Sequence, residues 1–152
     1  MASYFLDSSA IVKRYLTEIG SGWIRSLTAP ISANNIFLAR ITGVEVVSAL
    51  VRQNQPLLQP LLNQNLSDFR SDLQNQFQLI SINSAVLARA MILAETHRLR
   101  RYDAVQLAAA VEWHNVGKGV GITLLTFVSA DARLNAAAMV EGLSVDNPLS
   151  HP

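Results

Sequence analysis

Tyr4-Phe5-Leu6, Ile36-Phe37-Leu38-Ala39, Phe77 to Ile82 and Ile122 to Val128 are short, largely apolar runs without the strict polar alternation of a half-exposed strand. Runs of this kind suit strands buried on both faces, the condition of a central strand in a parallel sheet. Between them, apolar residues recur at helical spacing. The predicted order is β-α-α-β-α-α-β-α-α-β-α-β, with a closing edge strand at Leu143 to Val145. Strands that alternate with helices imply an α/β domain: a mostly parallel central sheet of four to five strands covered on both faces, in three layers. The 152 residues suit one domain, 1–152, that buries about two thirds of its unfolded surface.

The helical stretches carry their own signals. Asp7-Ser8-Ser9 follows the first run and reads as a helix start, with Ile11, Val12, Tyr15 and Leu16 as its apolar face. A short helix with Trp23, Ile24 and Leu27 comes next, and Pro30 ends it. Thr42-Gly43-Val44-Glu45 fits a capping box, in which Glu45 reaches back to the Thr42 backbone N–H, and this helix runs to about Asn54. Beyond Pro56 and Pro60, the spacing of Leu62, Leu66, Phe69, Leu73 and Phe77 predicts a long amphipathic helix. Ser84 is the expected cap of a helix ending near His97, and Leu99 to Ala110 opens an alanine-rich one. Gly117, Gly119 and Gly121 are read as a loop, since their spacing matches neither a P-loop nor a dinucleotide fingerprint. The last predicted helix is Ala132 to Val140.

Four of the eleven acids, Asp7, Glu45, Asp103 and Asp131, fall at strand ends or in the first turn of a helix that covers the sheet. Helix capping accounts for each one singly. Capping does not account for all four arriving at one edge of a parallel sheet, where ligands bind in open α/β folds. Clustered carboxylates repel one another unless a cation neutralises them. Oxygen donors without cysteine, and without paired histidines, favour Mg²⁺ or Mn²⁺ over zinc; His97, His114 and His151 are scattered and read as structural or surface residues. Acid-bound Mg²⁺ chiefly serves phosphoryl chemistry, which leads to a nuclease.

Net charge is +1, so overall charge does not mark a nucleic-acid binder. Ten of the twelve basic residues are arginine, however, and Arg98, Arg100 and Arg101 immediately precede Asp103. Their guanidinium groups are placed to hold an RNA phosphate backbone near the acids. Zero cysteines exclude a disulfide framework and make a cytoplasmic setting the simplest expectation. No signal peptide is read at the N-terminus, and no apolar run is long enough to cross a membrane.

Phe5-Leu6-Asp7-Ser8-Ser9-Ala10-Ile11-Val12-Lys13, Val44-Glu45-Val46-Val47-Ser48-Ala49-Leu50, Arg101-Tyr102-Asp103-Ala104-Val105-Gln106-Leu107-Ala108 and Val128-Ser129-Ala130-Asp131-Ala132-Arg133-Leu134 resemble, in order, the acidic motifs of PIN domains. The likeness is to VapC-type toxins of prokaryotic toxin–antitoxin pairs, and it covers essentially the whole chain. The resemblance implies a PIN-like fold and a Mg²⁺- or Mn²⁺-dependent endoribonuclease, usually a homodimer, inhibited by a small VapB-type antitoxin lying in the active-site groove. Carried over by position, Asp7, Glu45, Asp103 and Asp131 are the catalytic, metal-binding acids, and Ser8 or Ser129 orients water or a carboxylate. Ser8 and Ser129 stand where threonine is frequent, and Gly43 loosens the turn that carries Glu45. Two alternatives stay open: a catalytically silent PIN-like domain that only binds RNA or protein, and a haloacid-dehalogenase-type phosphatase, whose second acid would fall where this chain has Ser9.

Overall fold

The computed structural model describes residues 1–53, 59–121 and 124–152. Strands β1 (Ser3–Leu6), β2 (Asn35–Ala39), β3 (Gln78–Ile80), β4 (Leu125–Val128) and β5 (Ser144–Asp146) form one sheet in the order β3-β2-β1-β4-β5. Every pairing is parallel, with Phe5 opposite both Phe37 and Phe127. The expected mostly parallel sheet is therefore present, with β1 at its centre.

Successive strand residues face opposite ways, so a fully apolar strand feeds two cores at once. Phe5, Phe37 and Phe127 point to one face, where α5 (Ser84–His97), α6 (Arg101–Gly119) and α7 (Ala132–Val140) cover them. Leu6, Leu38 and Val128 point to the other, beneath α1 (Ser8–Ile11), α2 (Ser21–Leu27), α3 (Thr42–Arg52) and α4 (Gln59–Asn75). Phe5 and Phe127 stack at 5.6 Å between ring centroids, and Tyr15 meets Phe69 edge-on at 5.2 Å. Each such fully buried side chain contributes about 1.5–3 kcal/mol. Ala104, Ala108, Ala109 and Ala110 are all buried on α6, and their small volume brings that helix close to the sheet.

Several boundaries differ from expectation. The predicted capping box does not form: Ile41 precedes α3 and Thr42 lies inside it, its hydroxyl bonded to Gln106 on α6. Asn83, not Ser84, caps α5 by accepting from the Val86 N–H, which lies three residues on and within reach of its amide oxygen. Gly117 and Gly119 belong to the last turn of α6, because buried Val111 and His114 carry the helix past them; Gly121, at φ 81°, makes the turn beyond. β3 stops at Ile80 and β5 is displaced by one residue, with Leu143 buried before it. Asn54, Pro56, Ile122 and Thr123, which the sequence reading placed in or beside elements, lie outside the described residues.

After β5 the chain turns back over α2. Pro148 lies against Gly20, where φ is 87° and an added Cβ would collide with the Pro148 carbonyl. The His151 ring stacks on Trp23 at 4.1 Å and bonds Asp146 at 2.8 Å. Among the described residues, no helix is long and apolar enough to cross a membrane.

Candidate active site

Because β2 and β3 extend the sheet to one side of β1, and β4 and β5 to the other, the chain reverses its winding between β1 and β4. The carboxyl ends of those two strands open a crevice. Asp7 follows β1 directly and is buried, 3 % exposed. It does cap α1, its Oδ1 accepting from the Ala10 N–H at 3.0 Å. The same oxygen accepts from Ser9 at 2.6 Å, and Oδ2 accepts from Ser129 at 2.6 Å. Capping and a place in the site are therefore not alternatives for this residue. Burial pushes its carboxyl up from 3.8 to about 6, against the lowering effect of those three hydrogen bonds, and the nearby Asp103 adds to the rise.

Glu45, in the first turn of α3, is held from both ends. Ser8 donates to Oε2 at 3.0 Å and the Gln106 amide to Oε1 at 2.7 Å. Gln106 also bonds Thr42, joining α3 to α6. The looseness expected from Gly43 is thus answered by side chains distant in sequence. Asp103, partly buried in the first turn of α6, has its carboxyl held above the usual range by burial, then by the charges of Asp131 and Glu45; Arg100 and Arg133 partly offset this. Asp131 caps α7, its Oδ1 accepting from the N–H groups of Arg133 and Leu134 at 2.8 and 3.2 Å. Asn135 holds the Ser129 carbonyl at 2.8 Å.

Ser8 and Ser9 tie Glu45 and Asp7 together, Ser9 meets Ser129, the Ser129 hydroxyl accepts from the Asp131 N–H, and Asp103 lines one recess with Asp131, so the four acids share one edge. None of them has an ion-pair partner among the described residues. Nor, among those residues, do three acids or histidines close tightly enough to hold an ion as they stand. The donor set nevertheless fits a hard divalent cation. A carboxylate offers about four lone-pair sites; Asp7 uses three of them on neutral donors and Glu45 two, so each keeps oxygen capacity and an uncompensated charge. Arg98, Arg100 and Arg101 are all exposed near this edge, but only the first two line the recess beside Asp103 and Asp131.

The sequence reading missed Gln106, Ser9, Asn135 and Arg133. Gln106 had a usable signal: it is the only polar residue in the buried stretch 104–111.

The sequence profile described as PIN domain matches residues 4–138. No curated protein matches the chain in sequence. Among solved structures, a toxin–antitoxin complex from Klebsiella pneumoniae is similar at a TM-score of 0.63 and 18% identity, over 96% of this chain and 98% of that one. VapBC2 from Rickettsia felis, bound to a DNA fragment from its promoter, gives 0.65 and 14% over 97% and 98%. FitAcB from Neisseria gonorrhoeae gives 0.58 and 18% over 95% and 97%. At these identities the likeness is one of fold.

Proposed function

The chain belongs to the PIN domain family, and from that premise we propose that it is a Mg²⁺- or Mn²⁺-dependent endoribonuclease, the toxin of a VapBC-type pair acting in the cytoplasm. The observation that carries this reading is the gathering of four carboxylates, two after β1 and β4 and two in the first turns of α3 and α6, none of them in an ion pair among the described residues. Asp7, Glu45, Asp103 and Asp131 would hold the metal, which supplies Lewis acidity and an activated water for attack at phosphorus. The chain's own residues fix the acids in advance. Ser9 and Ser129 orient the Asp7 carboxylate, while Ser8 and Gln106 clamp the Glu45 carboxylate. Arginines at the crevice hold the RNA backbone.

The structural neighbours include toxin–antitoxin complexes, which supports a small VapB-type antitoxin as the partner; the homodimer is carried over from the resemblance alone. An antitoxin that inserts an apolar helix and a basic side chain into the crevice would meet both needs of the site. The phosphatase alternative lacks its second acid: Ser9 in that place donates its hydroxyl to Asp7. Incubating the purified, antitoxin-free protein with a mixed pool of structured RNAs tests the reading. Discrete cleavage in Mg²⁺ or Mn²⁺, absent with EDTA and absent from Asp7→Asn, is the expected outcome. An absence of cleavage together with no Mn²⁺ binding in titration calorimetry would favour the silent, binding-only domain.

A further inference from the structure

Resting on the nuclease reading, we propose that the recess formed by Arg98, Arg100 and Arg133 beside Asp103 and Asp131 binds a phosphodiester group of single-stranded RNA next to the one being cut. Arg133 is thereby a substrate contact, and Arg101 is not. The recess has a volume of about 150 Å³, room for a phosphate and part of its sugar.

Three observations carry the assignment. The side chains of Arg98, Arg100 and Arg133 make no hydrogen bond or ion pair among the described residues, and unlike the equally unpaired Arg40, Arg52, Arg70 and Arg101 they line one recess; Arg14, Arg25 and Arg89 are each tied to protein groups. Three unpaired guanidinium groups around one small recess match the forked, bidentate recognition of phosphate oxygens. Second, Arg100 and Arg133 line the same recess as Asp103 and Asp131, so the positive wall and the acids share one mouth. A strand that lies across Asp103 and Asp131 must bring its neighbouring phosphate past these arginines.

Third, Arg98 closes the C-terminal end of α5 with φ 53° and ψ 40°. That left-handed conformation is taken without strain by glycine. Among the described non-glycine residues only Ala33 and Arg98 have positive φ. An arginine standing where the backbone favours glycine points to a use for its side chain. An acidic protein segment is the competing occupant of such a recess. The phosphate is favoured because the substrate backbone has to reach these same acids.

Binding of a labelled, random-sequence single-stranded RNA, measured by fluorescence anisotropy in Ca²⁺ and in EDTA over a range of salt, tests the proposal. Arg133→Gln and Arg98→Gly should each weaken binding about tenfold and lower the slope of log affinity against log salt by about 0.7. Arg101→Gln and the distant Arg70→Gln should leave both nearly unchanged. Arg98→Gly should meanwhile raise Tm by a few degrees, so stability and binding move in opposite directions, which damage to the fold would not produce. Parent-like binding by Arg133→Gln, or an equal loss in Arg101→Gln, overturns the recess and leaves the nuclease reading standing. So does a variant that loses affinity for a glutamate-rich peptide while holding RNA. A parent protein that neither binds nor cuts RNA overturns both.

Discussion

At the scale of single residues, Asp7 combines a cost with a use. Its carboxyl binds a proton more tightly folded, at about 6, than at the ordinary value of 3.8. Between those values the native state carries more protons than the unfolded chain, so stability falls as pH rises through the window and levels off above it. The full effect is roughly 3 kcal/mol. Thermal melts of the metal-free protein should therefore show Tm declining from about pH 4 to pH 6, and saturating Mg²⁺ or Mn²⁺ should flatten that decline. Asp7→Asn should lose cleavage yet melt no lower than the parent near neutral pH, because it removes a buried charge and keeps an oxygen for the cap; a clear fall in Tm would show that the hydrogen bonds from Ser9 and Ser129 to the carboxylate outweigh the cost of its burial. Gln106 acts through Glu45. Gln106→Leu should reduce kcat about 10- to 100-fold with KM little changed, and steady-state kinetics over a metal titration would show it. Unchanged kinetics with lowered stability would leave the residue only its role in joining α3 to α6.

At the scale of elements, each acid rides on a helix start, and α7 allows its two roles to be separated. Asp131→Asn keeps an oxygen to accept from Arg133 and Leu134, so α7 should stay capped while cleavage falls. Asp131→Ala loses both, at about 1 kcal/mol of stability. Denaturant unfolding beside an RNA assay distinguishes the pair, and equal stability of the two variants would show that the cap contributes nothing. α6 is the element on which the site depends most. Leu107 is fully buried between Gln106 and the alanine stripe, and Leu107→Ala should cost about 2–5 kcal/mol. Activity measured well below the melting transition should fall as well, since Asp103 and Gln106 share that helix.

For the whole molecule, the sheet was legible because its central strands are apolar on both faces, and Asp7 and Asp131 were legible because they end two of those strands. Asp103 could be read from the start of an alanine-rich helix. What local sequence could not supply was partnership across the fold. Thr42 and Glu45 match a capping box three residues apart, yet their side chains are claimed by Gln106 and Ser8. Arg133 follows a helix cap, where an exposed arginine looks like ordinary surface until α6 brings Asp103 beside it. The strand order β3-β2-β1-β4-β5 carries a last consequence, for the cell that makes this chain. A ribosome delivers Asp7 well before Asp131, and β1 has a neighbour on only one side until β4 emerges. The crevice between β1 and β4 cannot exist on a nascent chain that has yet to expose β4, so on the nuclease reading the capacity to cut arrives only after the segment that carries Asp131 has been made.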